Sequence, residues 1–470
     1  MSTGIELAGK RVLVVGLART GIATALFCAR RGASVTATES RAESEVAEAA
    51  TKLRAAGCRL ELGGHHEETF VEQDLVIASP GVPAEMACLA AARAKGIPVW
   101  SEIELASRFL KGKLIGITGS NGKTTTTSLT AHILETARFP TILAGNIGTP
   151  VIATVESTSD KSVTVAELSS FQLESIEKFR PNVAVFLNLT PDHLDRHPSL
   201  EAYARAKGRI FENQTEQDAA VLNADDPATA ALAPSRPQVF WFSRVKHVAE
   251  GAYLRGDEIV FRREGEETVL LRRSDIGLRG EHNVENVLAA AATTYLTGAQ
   301  AAAIAEGVRS FAGVEHRLEF VAEVAGVSYY NDSKATNVDA TLKALDAFPG
   351  RLIVILGGKD KGSDYTVLRD PLRAKATVAL LIGAAAEKIE KQIAGSVPAV
   401  RAETLEGAVE LAAKQAHSGD TVLLAPACAS FDQFQSYEHR GRVFKQLVQQ
   451  LEQKAAGRSR SRAGSPAGKG

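Results

Sequence analysis

Residues 113–134 read KLIGITGSNGKTTTTSLTAHIL, and this stretch decides the fold of the middle of the chain. The apolar residues LIGIT predict a buried strand, SNG a turn, and KTTTTSLTAHIL an amphipathic helix. Lys123 and Thr124 then stand at a helix N-terminus, where backbone N–H groups converge on an anion. This context favours a nucleoside triphosphate site over a purely structural turn.

The glycine spacing of this stretch departs from the usual phosphate loop. The strict pattern needs glycine five positions before Gly122, where the chain has Ile117 and offers Gly116 and Gly119 instead. Lys123 can neutralise phosphate oxygens, and the Thr124 hydroxyl can ligate Mg²⁺. We expect ATP to be bound by a continuous run of loop and helix residues, namely Gly119, Ser120, Asn121, Gly122, Lys123, Thr124 and Thr125.

Length and composition indicate a soluble protein of several domains. The 470 residues exceed the roughly 100 to 200 of one domain, and no apolar run approaches the roughly 18 to 20 residues that cross a bilayer. Lys plus Arg total 54 against 55 for Asp plus Glu, so no overall charge recruits nucleic acid. The four cysteines lack metal or disulfide spacing, and no signal peptide begins the chain. We expect a cytoplasmic protein without nucleic-acid partners or membrane insertion.

Short apolar runs alternate with Ala-rich stretches of helical period, which predicts three α/β domains. Residues 1–102 are expected to form a Rossmann-like N-terminal domain, and residues 103–312 a central P-loop ATPase-type domain. Residues 313–453 are expected to form a C-terminal Rossmann-like α/β domain. The basic segment 454–470 contains no acidic residue and no apolar period, which predicts a disordered tail.

Polar motifs recur along the chain in a definite order: GSNGKTTT, GNIG, ELSSFQLE, LNLTPDHLDRH, GEHNVENVLAA, GVEHRLE, NDSKATN and PACASFDQF. This order resembles the Mur ligases from the first domain to about residue 445. NDSKATN and PACASFDQF favour the members that add D-glutamate. The resemblance implies a monomeric ATP-dependent amide ligase that joins D-glutamate to UDP-N-acetylmuramoyl-L-alanine through an acyl phosphate, in cytoplasmic peptidoglycan precursor synthesis.

The same resemblance implies a site with two Mg²⁺ ions. Glu167 ends the strand VTVAEL, where an open sheet presents its ligand-binding edge, and its carboxylate suits Mg²⁺. His193 is implied as a ligand of the second ion. Lys207, which by itself would be interpreted as a solvated helix cation, is implied to be carbamylated by CO₂ and to bridge or orient the metals.

Other implied contacts come from the central and C-terminal domains. Asn283 and Asn286 lie three residues apart on one predicted helix, so both amides can face the nucleotide, although helix capping also explains Asn283. Arg317 suits phosphate oxygens and Asp332 ribose hydroxyls. D-Glutamate is implied to contact four side chains, those of Lys334, Thr336, Ser430 and Tyr437. Many relatives carry Phe in place of Tyr437.

VLVVGLARTG resembles a dinucleotide fingerprint, but Ala18 stands where the middle glycine is expected. In the family this geometry binds UDP rather than NAD, with the diphosphate at the helix and uridine at the strand edge. Many relatives have Leu at Arg19, which could add a phosphate contact here. The implied UDP-substrate residues are Thr20, Glu39, Ser40, Arg41, Ser79 and Gly81, with Asn146 reaching the muramoyl peptide.

Two other functions stay open at this point. The first is another Mur-type ligase or a folylpolyglutamate-type ligase. The run of Lys334, Ala335, Thr336 and Asn337 argues against it, because this run fits D-glutamate better. The second is an NAD-binding redox or sensory protein. The missing glycine at Ala18 and the set of Glu167, His193 and Lys207 argue against this second function, because hydride transfer does not require them.

Overall fold

The computed structural model describes residues 5–191 and 196–463. It contains three sheets, of five, nine and six strands, in chain order. Each sheet is covered by helices and carries its own buried apolar residues. The prediction of three α/β domains is therefore confirmed.

The first sheet is parallel, with the order β3-β2-β1-β4-β5 typical of Rossmann-like domains. The four apolar residues Val12–Val15 of β1 are completely buried because helices cover both faces. The elements are β1 (Arg11–Val15), α1 (Arg19–Arg30), β2 (Ser34–Glu39), α2 (Ala47–Ala55), β3 (Arg59–Leu62), α3 (Glu67–Val71), β4 (Leu75–Ala78), α4 (Ala87–Ala94), β5 (Val99–Ser101) and α5 (Glu102–Ser107).

The second sheet has the order β14-β13-β12-β11-β10-β9-β6-β8-β7, parallel from β7 to β12 and antiparallel beyond. β6 pairs with β8 on one side and with β9 on the other, so the loop after β6 lies at a topological switch point of the sheet. The elements are β6 (Lys113–Thr118), α6 (Lys123–Thr136), β7 (Thr141–Gly145), α7 (Val151–Thr154), β8 (Val163–Glu167), α8 (Ser170–Leu173), β9 (Val183–Phe186), α9 (Leu200–Gly208), β10 (Ala219–Asn223), α10 (Pro227–Ala230), β11 (Gln238–Ser243), β12 (Gly251–Arg255), β13 (Glu258–Arg263), β14 (Glu266–Arg272), α11 (Glu281–Thr297) and α12 (Ala301–Ser310).

The third sheet has the order β15-β16-β20-β17-β18-β19, and only the first pair is antiparallel. That pair is the one predicted from LEFVAEV and VSYYNDS. The elements are β15 (Glu319–Val324), β16 (Val327–Asn331), α13 (Val338–Asp346), β17 (Leu352–Gly357), α14 (Arg369–Lys375), β18 (Ala376–Ile382), α15 (Ala386–Ile393), β19 (Ala399–Glu403), α16 (Leu405–Gln415), β20 (Thr421–Leu424) and α17 (Tyr437–Ala463).

Two details bear on the predicted boundaries. The contacts divide the chain into two compact units after Phe311, and the segment Leu278–Asn283 belongs to the second unit. Helix α17 continues to Ala463, so residues 454–463 are helical where the sequence predicts a disordered tail. Ala, Lys and Arg favour helix, and no proline interrupts this segment. Within the described ranges, no helix is long and apolar enough to cross a membrane.

Candidate active site

The loop between β6 and α6 has the shape of a phosphate cradle. Gly119 and Gly122 have φ of 151° and 81°, a backbone conformation that side chains disfavour. A Cβ at Gly122 would also overlap Oδ1 of Asn286. Ile117, at the position of the missing glycine, is completely buried within β6. The departure from the strict pattern therefore reflects a shorter loop that begins after the strand core.

The loop after β9 holds this cradle in place. The Ser120 N–H donates to the Asn188 carbonyl at 2.9 Å, and the Asn121 N–H donates to Asn188 Oδ1 at 2.8 Å. Lys123 Nζ donates to the carbonyl oxygens of Gly119 and Ser120 at 2.9 and 2.7 Å. Thr124 and Thr125 are buried in the first turn of α6. The ammonium group thus lies directly over the loop.

Glu167 lies at the end of β8, in register with Ile117 of β6 and Gly145 of β7. It is only 2% exposed, and its Oε1 accepts a 3.0 Å hydrogen bond from Asn146 Nδ2. Its buried Oε2 has no hydrogen-bond partner among the described residues. A buried carboxylate oxygen of this kind is a suitable ligand for Mg²⁺. The predicted contact of Asn146 with the muramoyl peptide stays a prediction, because its amide is directed to Glu167.

Lys207 is 1% exposed, so its interpretation as a solvated helix cation is wrong. Its Nζ donates to the Gly119 carbonyl at 2.8 Å and to Thr118 Oγ1 at 3.4 Å. The ammonium group also lies 4.7 Å from the ring centroid of Tyr203. Helix α9 thus delivers a lysine to the base of the phosphate loop. His193 lies outside the described residues, and within them no three His, Cys, Asp or Glu side chains are grouped for a metal.

The carboxyl end of the first sheet forms a crevice around Glu39. Its Oε2 accepts hydrogen bonds from the Leu17 N–H at 2.8 Å and from Arg41 Nη2 at 2.9 Å, and Ser40 Oγ donates to Oε1. Burial raises the pKa of Glu39, but the hydrogen bonds from Arg41 and Leu17 outweigh it and lower that pKa to about 2. Glu39 is therefore ionised and paired with Arg41, and its carboxylate can accept hydrogen bonds from a ligand.

The diphosphate end of this crevice tolerates the missing glycine. Ala18 is the exposed N-cap of α1 in an extended conformation, which alanine adopts without strain. A Cβ at Gly21, by contrast, would overlap the Gly16 carbonyl oxygen, and Gly16 itself has a φ of 89°, so the turn needs these two glycines. Thr20 lies in the first turn of α1, and Ser79 Oγ donates to the Gly16 carbonyl at 3.1 Å. Gly81 is exposed two residues farther along.

Asn283 and Asn286 have separate partners. Asn286 Oδ1 accepts a hydrogen bond from Thr126 Oγ1 at 3.2 Å, which joins α11 to α6 beside the phosphate loop. Asn283 Nδ2 donates to the Arg279 carbonyl at 2.6 Å. This bond is not a helix cap, because in a cap the side-chain oxygen accepts a hydrogen bond from a backbone N–H. The predicted contacts of both amides with nucleotide stay predictions.

In the second unit, Arg317, Asp332 and Lys334 gather at the carboxyl ends of β16 and β20. The Lys334 N–H donates to the His316 carbonyl at 3.1 Å, and Asp332 Oδ1 accepts from the Leu318 N–H at 3.3 Å. Burial raises the pKa of Asp332 to about 6, and the charges of Arg317 and Lys334 oppose this rise. Two cations thus face one buried acid, an arrangement able to receive anionic or hydroxyl groups.

The predicted D-glutamate residues lie on two adjacent loops of this unit and at the start of α17. Lys334 Nζ lies 5.7 Å from the ring centroid of Tyr437, and Thr336 is half-buried on the same loop as Lys334. Ser430 is buried on the other loop. Arg440, completely buried, donates to the Ser333 carbonyl at 2.9 Å and to the Cys428 carbonyl at 3.2 Å. One guanidinium therefore holds the two loops side by side.

Sequence reasoning missed Arg440 and a second cationic segment. Arg440 lies three residues after Tyr437, one helical turn along α17, but an arginine on a helix gives no sequence signal of burial. Lys359 and Lys361 follow the glycine pair at the end of β17. The Lys359 and Ala429 backbones exchange two hydrogen bonds, which brings this segment beside Ser430. The sequence signal that could have identified this segment is the pair of lysines that follows a strand ending in glycine.

Known protein families match this chain over most of its length. The models are the Mur ligase MurD-like N-terminal domain over residues 10–101, the Mur ligase middle domain over 117–294, and the Mur ligase, glutamate ligase domain over 316–428. Two curated relatives are both named UDP-N-acetylmuramoylalanine--D-glutamate ligase. The one from Solibacter usitatus is 55% identical, with 96% of this chain and 100% of the relative covered. The one from Koribacter versatilis is 53% identical, with 95% and 99% covered.

Solved structures support the same fold at lower identity. A MurF ligase from Thermotoga maritima in complex with ADP superimposes with a TM-score of 0.61 at 15% identity, covering 95% of this chain and 96% of that structure. A UDP-N-acetylmuramate-alanine ligase MurC from the same organism gives 0.58 at 22% identity, with 94% and 99% covered.

Proposed function

This chain belongs to the Mur ligase family, and on that premise we propose that it joins D-glutamate to UDP-N-acetylmuramoyl-L-alanine, with ATP and Mg²⁺, in peptidoglycan precursor synthesis. The observation that carries this proposal is the identity of 53 to 55% over nearly the whole chain to ligases of that name. The redox alternative is disfavoured, because hydride transfer does not require the buried glutamate and lysine that flank the phosphate loop.

The reaction proceeds in two steps. A carboxylate oxygen of the alanyl group forms a bond to the γ-phosphorus of ATP, and the bond from that phosphorus to the bridging oxygen breaks, so that ADP leaves. The amine of D-glutamate then forms a bond to the acyl carbon, and the acyl C–O bond breaks. Phosphate leaves with that electron pair, and the amine loses its proton. Two anions must approach each other in the first step, so cations and positioning supply most of the catalysis.

The residues of the phosphate loop meet this requirement. The N–H groups at the start of α6 and the ammonium group of Lys123 hold the triphosphate. Glu167 and Thr124 would hold Mg²⁺, since the Glu167 oxygen is buried and Thr124 lies in the first turn. When bound, Mg²⁺ screens the repulsion between the carboxylate and the phosphates. Asn146 orients Glu167 through its 3.0 Å hydrogen bond.

We further propose that Lys207 is carbamylated and that His193 binds a second Mg²⁺. Carbamylation converts the ammonium group into an anion, and the lysine already reaches the Gly119 carbonyl at the base of the loop. Asn283, Asn286, Arg317 and Asp332 are proposed to bind ATP. Lys334, Thr336, Ser430 and Tyr437 are proposed to bind D-glutamate, whose two carboxylates need the cationic and hydroxyl donors gathered there.

The UDP portion of the substrate is proposed to lie in the crevice of the first sheet. Its contacts would be Thr20, Glu39, Ser40, Arg41, Ser79 and Gly81, with Asn146 near the muramoyl peptide. We also propose a cytoplasmic monomer. The cysteines, all free in the structure, support a reducing compartment.

Phosphate release tests the proposal. The protein is incubated with ATP, Mg²⁺ and UDP-N-acetylmuramoyl-L-alanine while D-glutamate, L-glutamate, L-lysine or diaminopimelate is supplied in turn. Release that depends on D-glutamate supports the proposal. Release with diaminopimelate or lysine instead would identify another ligase of the family, and no release with any amino acid would contradict the ligase assignment.

A further inference from the structure

Arg19 and Arg196 each form hydrogen bonds between the first and second domains. These contacts lie where the substrate must extend from the UDP crevice to the phosphate loop. The UDP crevice lies on the first sheet and the phosphate loop on the second, within one compact unit. If the proposed function is correct, the substrate binds by its UDP end to the crevice and presents its alanyl carboxylate at the phosphate loop. The spacing between these two places then decides whether the carboxylate reaches the γ-phosphorus.

Arg196 reaches from the second domain to the first. Its Nη2 donates to the Val82 carbonyl at 2.7 Å and to Glu174 Oε2 at 3.1 Å, and its Nη1 lies 3.5 Å from the Pro80 carbonyl. Its guanidinium lies 4.6 Å from the ring centroid of Phe171. The side chain is only 16% exposed. Arg196 therefore fastens the loop that carries Ser79 and Gly81 to the segment that follows Glu167.

Arg19 reaches in the opposite direction. It stands at the start of α1, beside the proposed diphosphate position, and its Nη1 donates to the Gly148 carbonyl at 2.7 Å. Gly148 belongs to a tight loop in which the Gly145 N–H donates to the Thr149 carbonyl and the Asn146 N–H to the Glu167 carbonyl. Asn146 also donates to the Glu167 side chain. The loop contacted by Arg19 is thus the loop that orients the proposed Mg²⁺ ligand.

We propose that Arg196 and Arg19 are positioning residues that form an arginine clasp, which sets the distance between the UDP crevice and the phosphate loop. This inference rests on the proposed function. Each arginine binds backbone carbonyls of loops at the two sites, so the clasp acts on loop position. A planar guanidinium can hold the Val82 carbonyl and Glu174 in one plane, which a lysine cannot reproduce with the same geometry. The clasp aligns the alanyl carboxylate for attack and leaves UDP binding to the crevice itself.

A purely structural role would give a different result. If the arginines only stabilised the packing of the two domains, their loss would lower the midpoint of thermal unfolding and reduce the active fraction without changing the reaction. If the arginines instead position the substrate, their loss lowers kcat and allows ATP to be consumed without ligation. Water then competes for the acyl phosphate or the triphosphate when the acyl group is misplaced.

The variants Arg196→Met, Arg196→Lys and Arg19→Met test the clasp in the full chain. The matched control is Arg30→Met, which removes another arginine that pairs across the two domains, with Glu156 at 3.8 Å. Arg30 lies at the far end of α1, about 16 Å from Arg19 at 1.5 Å per residue. The measurements are kcat and KM for the uridine substrate, phosphate released per ligated product, Kd for UDP by calorimetry, and the unfolding midpoint.

We expect Arg196→Met to lower kcat by roughly 10- to 100-fold, the scale of a misplacement of about one ångström. Phosphate released per product should rise, while Kd for UDP stays within about twofold. Arg196→Lys, which keeps the charge, should fold and show the same uncoupling, and Arg19→Met should show a smaller one. Arg30→Met should match the wild type. The clasp proposal would be overturned if Arg30→Met and Arg196→Met lowered kcat equally. It would also be overturned if Arg196→Lys released the same amount of phosphate per product as the wild type. Failure of the wild type to ligate D-glutamate would instead contradict the proposed function.

Discussion

At the scale of single residues, burial separates the functional cations and acids from ordinary surface charges. Lys207 and Arg440 are almost completely buried, although both lie on helices where sequence alone suggests solvated residues. Burying a charge is costly unless other groups compensate, so a buried lysine or arginine marks a place where a specific arrangement is maintained. Lys207 supports the phosphate loop, and Arg440 joins the two loops proposed to hold D-glutamate.

The role of Lys207 predicts a rescue experiment. Lys207→Ala removes the proposed carbamate, so ligation should fall below detection because the negative group that orients the metals is lost. A small carboxylic acid such as formate should restore part of the activity by occupying the vacated space. Arg205→Ala, an exposed residue of the same helix, is the matched control and should keep wild-type activity. Full activity of Lys207→Ala without added acid would refute the proposal.

At the scale of elements, the sequence predicted the parts that have strong periodicity. The strand, turn and helix at 113–134 were predicted correctly, because apolar residues and glycines mark each part. The antiparallel strands β12, β13 and β14 were not predicted individually. Charged residues such as Arg255, Arg262 and Glu267 interrupt their apolar pattern. Glu267 on β14 pairs with Arg262 on the neighbouring β13 and with Arg255 on β12, one strand farther. The strand preference of such residues depends on their cross-strand neighbours, so the local sequence signal is weak.

The candidate site also contains residues that a local sequence pattern predicts and residues whose contacts it does not predict. Lys123 and Glu167 follow apolar strands and were identified by position, whereas the partners of Asn146 and Arg196 depend on which distant loops meet. Arg196, for example, donates to the Val82 carbonyl, 114 residues away in sequence. No spacing within the sequence indicates that contact, because it depends on how the first and second domains pack against each other.

The geometry of the phosphate loop predicts that a methyl group added at Gly122 weakens ATP binding. Gly122→Ala places a Cβ against Asn286 Oδ1 at a φ of 81°, so the turn before α6 must shift. We expect the affinity for ATP to fall at least about tenfold, roughly 1.4 kcal/mol, with little loss of folded protein. Gly57→Ala is the matched control, because its φ is 80° and nothing lies within 4 Å of the added Cβ. Calorimetric titration with ATP measures the difference, and equal affinities in the two variants would contradict the cradle.

At the scale of the whole molecule, two buried glutamates lie on α5, the helix that connects the first sheet to the second. Glu104 Oε2 accepts hydrogen bonds from the N–H groups of Glu177, Lys178 and Phe179, and its Oε1 pairs with Arg108. Glu102 Oε1 accepts one hydrogen bond from the Ile152 N–H at 2.5 Å, and its buried Oε2 has no partner among the described residues. Both carboxylate oxygens of Glu104 thus have hydrogen-bond partners, whereas only one oxygen of Glu102 has one.

Glu102 predicts a pH dependence of stability. Burial raises its pKa from 4.5 to about 7, and the Ile152 hydrogen bond opposes this rise. The folded state therefore binds this proton more tightly than the unfolded state does. This tighter proton binding contributes about 3 kcal/mol to the free energy of unfolding below pH 4.5. The contribution is lost as pH rises through about 7.

Glu102→Gln imitates the protonated side chain and should remove this dependence. The unfolding midpoint of the variant should exceed that of the wild type at pH 8 and approach it at pH 5. Glu48→Gln, at an exposed position on α2, should follow the wild type at both values. A parallel decline of the Glu102→Gln and wild-type midpoints from pH 5 to pH 8 would contradict the prediction.

The central claim is that this chain is an ATP-dependent ligase with a site for D-glutamate, and a competition assay tests it most directly. The protein is supplied with ATP, Mg²⁺, UDP-N-acetylmuramoyl-L-alanine and an equimolar mixture of D-glutamate, L-glutamate, L-lysine and diaminopimelate. Mass spectrometry and chiral analysis of the product then identify the amino acid that was added. We predict a product that contains D-glutamate, formed with one ADP per amide bond. A product that contains another of the four amino acids, or ADP without any amide product, would contradict the claim.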